Sequence, residues 1–249
     1  MGETPETAEP TDQTNAAEVA RRTVLRGTAG LAVGAAVVAT GSEAAASPLK
    51  PDAVRTIAEA ERVAAAQNPY LRRKQLWMFE VMDANGDGVV TPDDTMQFAH
   101  RLAQVTGHTD ASPRAQQMVA TVNRIWHALV VKPAWVTDPK RLDAEQFVTV
   151  MANSVAETPD KTLQYIGVVT NLAFTMADVD HDGLISKDEA TQLITEVLRV
   201  DRDHAEHAWK VLDVDKTGYL GYVECLLAVT DFIVSTDLDA PGNLALGRV

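Results

Sequence analysis

Three twelve-residue stretches of this chain share one pattern, and nothing else in its 249 residues constrains the fold as much. They are Asp83–Asp94 (DANGDGVVTPDD), Asp178–Glu189 (DVDHDGLISKDE) and Asp213–Glu224 (DVDKTGYLGYVE). Each opens on Asp, places oxygen-bearing side chains at positions 3 and 5, and closes on a carboxylate at position 12. Each has glycine at position 6: Gly88, Gly183 and Gly218. Such a loop wraps hard oxygen donors around a calcium-sized cation. A backbone carbonyl serves at position 7, a water is often held from position 9, and the glycine permits a sharp turn. A branched aliphatic follows at position 8 (Val90, Ile185, Leu220), suited to a short strand bridge with a partner loop. Phe79, Phe174 and Trp209 precede the first Asp by four residues. That is one turn back on an entering helix, facing a core.

This is the EF-hand loop, and its chemistry names the expected ligands. Asp178–Glu189 alone fits the strict form, with carboxylates at Asp178, Asp180, Asp182 and Glu189 and the carbonyl of Leu184. Asp213–Glu224 offers Asp213, Asp215 and Glu224, the Thr217 hydroxyl and the Tyr219 carbonyl. Asp83–Asp94 offers Asp83, Asp87 and Asp94, the Asn85 amide and the Val89 carbonyl. The expectation is three Ca2+ sites, with Asp178–Glu189 the strongest. Asp94 is a methylene shorter than Glu, so its loop is expected to be the weakest for calcium, with Mg2+ as a competitor there.

Composition narrows the partners. The formal net charge is −13, and 46% of residues are hydrophobic, which describes a foldable acidic chain. That balance argues against nucleic acid and anionic membrane and suits a cation binder. Cys225 is the only cysteine, so no internal disulfide forms; it reads as a small core residue. The six histidines make no catalytic or metal set, and His204 and His207 read as surface residues. With no nucleophile–base arrangement and no phosphate-binding glycine loop, the chain reads as a non-enzyme. A monomer is expected, with any protein partner left open.

Four segments follow from the pattern. Residues 1–46 hold an acidic stretch, then Arg21–Arg22, a Gly/Ala-rich apolar run and Ala44–Ala46. This resembles a bacterial twin-arginine export signal with an A-x-A cleavage site, and implies export; a cytoplasmic chain with an Ala-rich tail is the alternative. The acids ahead of the arginines, and Ala20 where such signals usually have Ser or Thr, depart from that pattern. Residues 47–69 read as a linker with a short Ala-rich helix over Asp52–Gln67. Residues 70–156 and 157–249 each read as a pair of helix–loop–helix units. In the first pair, Tyr70–Met82 enters the loop and Pro92–Val105 leaves it. Ser112–Pro113 then starts a helix. In the second, Lys161–Ala177 and Lys187–Val200 flank one loop, and Arg202–Leu212 and Tyr222–Val234 the other.

The second unit is degenerate. In Trp135–Gln146 (WVTDPKRLDAEQ), Leu142 keeps position 8, but Trp135, Thr137 and Pro139 replace the ligands and Lys140 replaces the glycine. Lys140 and Arg141 would repel a dication, so no ion is expected there. The hands therefore run live, dead, live, live. This layout resembles the sarcoplasmic calcium-binding protein family, most closely its bacterial calerythrin-type members, over about Tyr70 to Val234. Calcium-regulated photoproteins and coelenterazine-binding proteins have a similar layout. The resemblance implies an all-α fold, four EF-hands in two paired lobes packed into one compact body, and a calcium buffer or store. The alternatives are a calcium sensor that docks a partner helix and a photoprotein-like binder of a small ligand.

Aromatic and Met residues bear on those alternatives. Trp77, Trp126 and Trp209 lie on apolar helical faces and read as core, with the lining of a ligand cavity as the other reading. Met78, Met82, Met96, Met118, Met151 and Met176 are spread over several helices and read as core packing. The C-terminal DAPGNLALGRV reads as a packed or loose tail without the marks of a cavity cap.

Overall fold

The computed structural model describes residues 68–246 apart from Trp135. The Arg21–Ala46 segment and the Asp52–Gln67 helix lie outside the described residues. Eight α-helices and four two-residue strands follow in order: α1 (Pro69–Met82), β1 (Val89–Val90), α2 (Pro92–Val105), α3 (Pro113–Trp126), β2 (Leu142–Asp143), α4 (Ala144–Glu157), α5 (Pro159–Ala177), β3 (Ile185–Ser186), α6 (Lys187–Gln192), α7 (Arg202–Leu212), β4 (Tyr219–Leu220) and α8 (Tyr222–Val234). A 3-10 turn, Pro241–Leu244, closes the C-terminal segment.

Local chemistry sets the helix starts. Asn68 accepts from the N–H groups of Tyr70 and Leu71 ahead of Pro69, and Ser112 accepts from Ala115 N–H ahead of Pro113. At the exiting helices, loop position 9 is the N-cap and position 12 is N3. Thr91 with Asp94, Asp143 with Gln146, and Ser186 with Glu189 all form reciprocal capping boxes. One sequence feature therefore serves two purposes: it starts the helix and it places the last metal ligand. In the degenerate hand the cap survives although the ligands are gone.

Two expected helices are interrupted. The expected Lys187–Val200 helix is α-helical only to Gln192 and widens to π geometry over Leu193–Val197. The helix from Pro113 widens in the same way over His127–Val131. Only Thr158 separates α4 from α5, because Pro159 starts α5 at once.

The position-8 residues pair as their spacing predicts. β1 and β2 are antiparallel with Val90 opposite Leu142, and β3 and β4 are antiparallel with Ile185 opposite Leu220. All four side chains are buried. So are Phe79, Phe174 and Trp209, and Phe79 meets Phe147 edge-on at 5.7 Å. A large apolar core joins α2 and α3 to the C-terminal hands, and a smaller one fills the N-terminal pair around Phe79, Trp126 and Phe147. Their burial supplies the main drive for packing the two pairs into one compact, all-helical body. No helix among the described residues is long and apolar enough to cross a membrane.

Candidate metal centres and a central cavity

Each complete loop turns through two left-handed residues. Position 6 is as expected: Gly88, Gly183 and Gly218 have φ of 81°, 86° and 81°. Position 4 needs the same conformation, which sequence reasoning missed. Gly86 meets it freely, whereas His181 (φ 62°) and Lys216 (φ 56°) adopt it against their side-chain preference. His181 offsets this locally, its Nδ1 lying 2.9 Å from the Asp178 carbonyl oxygen.

In Asp178–Glu189, ligand atoms of Asp178, Asp180 and Asp182 all lie within 4.8 Å of one another. Asp178 Oδ2 accepts the Gly183 N–H at 3.1 Å. Asp178 Oδ1 is buried and has no hydrogen-bond partner. An orphaned carboxylate oxygen beside two more acids is what a cation site requires, so the donor set fits calcium. Glu189 stands apart from this cluster. Its oxygens accept from Val179 N–H, Ser186 N–H and the Ser186 hydroxyl, each at 2.8 Å. Burial opposes its charge, but these donors outweigh burial and hold the carboxyl below its ordinary range.

Asp213–Glu224 is arranged differently. Asp213, Asp215 and Glu224 form the close cluster. Gly221 at position 9 has no hydroxyl to offer, so Glu224 keeps the Gly221 backbone N–H at 2.9 Å. Burial, with the charges of Asp215 and Asp213, pushes its carboxyl up despite that bond. The Thr217 hydroxyl donates to the Tyr219 carbonyl at 3.0 Å, so two expected ligands are paired with each other.

The acids of Asp83–Asp94 are less gathered. Asp83 takes the N–H groups of Gly86 and Gly88, each at 2.9 Å, and Asn85 Nδ2 donates to Asp87 at 3.0 Å. Asp94 is spent on the capping box and on Ala84 N–H at 3.3 Å. Val89 lies on β1, opposite Asp143. From the other half of the molecule, Arg199 donates to the Ala84 carbonyl at 3.2 Å. The degenerate loop is tied down without metal: Trp126 Nε1 donates to Pro139 O at 3.1 Å and Lys140 N–H to Asp138 at 3.0 Å.

Between the four hands lies an apolar cavity of about 350 Å³. The position-8 residues Val90, Leu142, Ile185 and Leu220 all reach it, so every loop pair abuts the same space. Trp126, part of the smaller core, and Trp77, packed against the larger one, line it as well, whereas Trp209 lies in the core alone. The cavity-lining alternative thus holds for two of the three tryptophans. Cys225 lines it too, its thiol pushed up to about 12 by burial, which leaves it unreactive.

The C-terminal tail is packed, one of the two states its sequence left open, and it reaches the cavity. Ala245 and Leu246 line that space, and Trp77 Nε1 donates to Leu246 O at 2.7 Å. Gly242 makes the approach, since a Cβ there would lie 2.3 Å from Ala228 O. The buried Lys74 fastens the tail to α1, donating to Asp231 O (2.9 Å), Ser235 O (2.7 Å) and Asn243 Oδ1 (3.1 Å). Three acceptors match the three N–H bonds of an ammonium. Burial still pushes Lys74 down to about 8, against the opposing charges of Asp231 and Asp237. No periodicity or motif marks Lys74 as buried; it reads as one more surface base on an entering helix.

Comparison with known proteins agrees with this geometry. A family model described as "EF hand" matches residues 76–99 and 171–192, around the Asp83–Asp94 and Asp178–Glu189 loops. The luciferin-binding protein of Renilla reniformis is 22% identical over 186 residues, covering 74% of this chain and 97% of its own. The coelenterazine-binding protein of Renilla muelleri, in its calcium-loaded apo form, superposes with a TM-score of 0.55 at 21% identity, over 74% of this chain and 98% of its own. A calcium-binding protein of Streptomyces coelicolor gives a TM-score of 0.55 at 23% identity, over 71% and 98%. The fold is therefore the one these EF-hand proteins share, and its loops support EF-hand calcium binding.

Proposed function

We propose that this chain is a calcium-binding protein whose four hands enclose a compartment for one small apolar molecule. The carrying observation is the cavity: about 350 Å³, apolar, reached by all four position-8 residues and lined in part by Ala245 and Leu246 of the C-terminal segment. Natural ligand sites have this size and character. Proteins of the same fold whose names state a luciferin or coelenterazine ligand support the reading. A calcium buffer of the calerythrin type uses the same loops but has no need of the hollow. Calcium occupies three loops, Asp83–Asp94, Asp178–Glu189 and Asp213–Glu224, with magnesium competing at the first. The chain binds rather than catalyses, and the Arg21–Arg22 segment directs its export.

Titration of the full chain with the uncharged dye N-phenyl-1-naphthylamine, read by quenching of Trp77 and Trp126, tests the compartment. One dye per chain is expected, and Ala173→Phe, which fills the lining, should abolish uptake while calcium stoichiometry stays at three. No uptake, or uptake indifferent to Ala173→Phe, sinks the reading and returns the chain to a calcium buffer. For export, residues 1–60 fused to a reporter should leave the cytoplasm, and Arg21→Lys with Arg22→Lys should prevent it. Equal distribution with and without the double substitution would remove the signal.

A further inference from the structure

We infer that the compartment selects an uncharged lipophile bearing a single hydrogen-bonding group, and that the Thr170 hydroxyl is its anchor. This rests on the proposed ligand reading and adds the ligand's chemical class. α5 presents Ile166, Val169, Thr170, Ala173, Phe174 and Ala177 to the cavity, the i, i+3, i+4, i+7 stripe of one helix face. Thr170 is the polar break in that stripe; Thr162 and the Tyr165 phenol line the cavity about one turn or more earlier on the same helix. Thr170 is 5% exposed, and its Oγ1 has no hydrogen-bond partner. The other hydroxyl-bearing threonines and serines of the lining are spent within the protein. Ser154 Oγ donates to Met151 O at 2.8 Å, Thr162 Oγ1 to Ser154 O at 2.7 Å and Thr95 Oγ1 to Pro92 O at 2.7 Å. Both lining indoles are spent as well, on Leu246 O and Pro139 O. A helical threonine ordinarily turns its hydroxyl back to a carbonyl one turn earlier, as Thr149 and Thr195 do here. Thr170 does not. An idle buried hydroxyl carries a desolvation cost, which a ligand's polar group would relieve.

Charge sets the rest of the class. Among the described residues, no Lys, Arg or His lines the cavity, and its one carboxylate, Glu224, belongs to the metal loop. An anionic ligand would be buried without a partner and beside a carboxylate, which is strongly unfavourable. A cationic one would compete with calcium for Glu224. A neutral molecule of aromatic or terpenoid bulk with one N–H, hydroxyl or carbonyl meets neither obstacle.

Three related dyes test this on the calcium-loaded full chain: N-phenyl-1-naphthylamine, its sulfonated counterpart 8-anilinonaphthalene-1-sulfonate, and 1-phenylnaphthalene, which lacks the N–H. The sulfonate should bind at least about thirtyfold more weakly than the uncharged amine. Thr170→Val should weaken the amine about fivefold and leave 1-phenylnaphthalene unchanged, and Thr170→Ser should restore the amine. The thermal midpoint of the dye-free Thr170→Val protein should equal or exceed that of the parent, because its only loss is an idle hydroxyl. Equal binding of sulfonate and amine overturns the charge selection. A Thr170→Val effect that falls equally on both uncharged dyes, or a lowered midpoint, overturns the anchor. If none of the three dyes binds, the compartment itself is refuted along with its selectivity.

Discussion

The two halves of the molecule build the same scaffold from unequal chemistry. In the C-terminal half both loops keep their acids, and Ile185 pairs with Leu220. In the N-terminal half one loop has lost its ligands, yet Val90 still pairs with Leu142, and Asp143 and Gln146 still form a capping box. Burial of position 8 and the bond from the position-9 N–H to the position-12 side chain are therefore what all four hands share. Metal ligation is a separate layer that can be lost without losing the hand. The same separation appears within the C-terminal half. Ser186 lets Glu189 cap its helix and stay charged, while Gly221 leaves Glu224 gathered with Asp213 and Asp215 and its carboxyl pushed up by burial.

The separation is tested most severely by cutting position 8 in both halves. Leu142→Ala and Leu220→Ala remove side chains that are 2% and 4% exposed. Each should cost about 2–5 kcal/mol in denaturant melts without calcium. A small loss at Leu142 alone would show that the degenerate hand is a mere connector. Ligation is tested next. Glu189→Gln should weaken calcium at its loop by about a hundredfold, on the order of 3 kcal/mol, by removing a bidentate charge. Gln146→Glu should add no fourth site, since Thr137, Pro139 and Lys140 remain. A calorimetric count of four ions in that variant would show that position 12 alone had silenced the loop.

The seam between the halves gives smaller effects. Gly242→Ala places a methyl against Ala228 O, so the tail must lift; about 1–3 kcal/mol should be lost and Trp77 emission should shift to the red as its bond to Leu246 breaks. Unchanged emission would mean that the tail does not seal the cavity. Lys74 gives a pH signature. Below about pH 8 it is protonated folded and unfolded, and the folded state carries the full burial penalty. Between about 8 and the ordinary value of 10.5 the folded chain has lost a proton that the unfolded chain keeps, so stability rises with pH. The parent should therefore gain on a Lys74→Met variant as pH climbs from 8 to 10, with the other titrating groups cancelling in the difference. A flat difference would place the Lys74 ammonium in a less buried setting. The smallest effect is expected at Asp94→Glu, a severalfold rise in calcium-over-magnesium preference at the first loop alone, by calorimetry in each ion. No change there would mean that the Ala84 and Thr91 bonds of Asp94, rather than its length, set that preference.

The loops were legible in the sequence because their chemistry is local. Twelve consecutive residues carry the ligands, the left-handed glycine and the helix cap, so Gly88, Gly183 and Gly218 and the Val90–Leu142 and Ile185–Leu220 pairs could be placed from spacing alone. The same locality exposed the degenerate hand through Pro139 and Lys140. The cavity was not legible, since it is the space left when eight helices pack, and no single helix encodes it. Trp77 and Trp126 have the periodicity of core residues whether they meet a side chain or a void. Thr170 looks like any helical threonine until its hydroxyl is found without a partner. Lys74 and the tail join residues 157 to 169 positions apart, a distance over which sequence pattern carries no signal. The sequence by itself thus determined where calcium chemistry can occur. Only the tertiary structure decided that the hands border a shared apolar cavity, because that depends on how distant surfaces fail to fill the space between them.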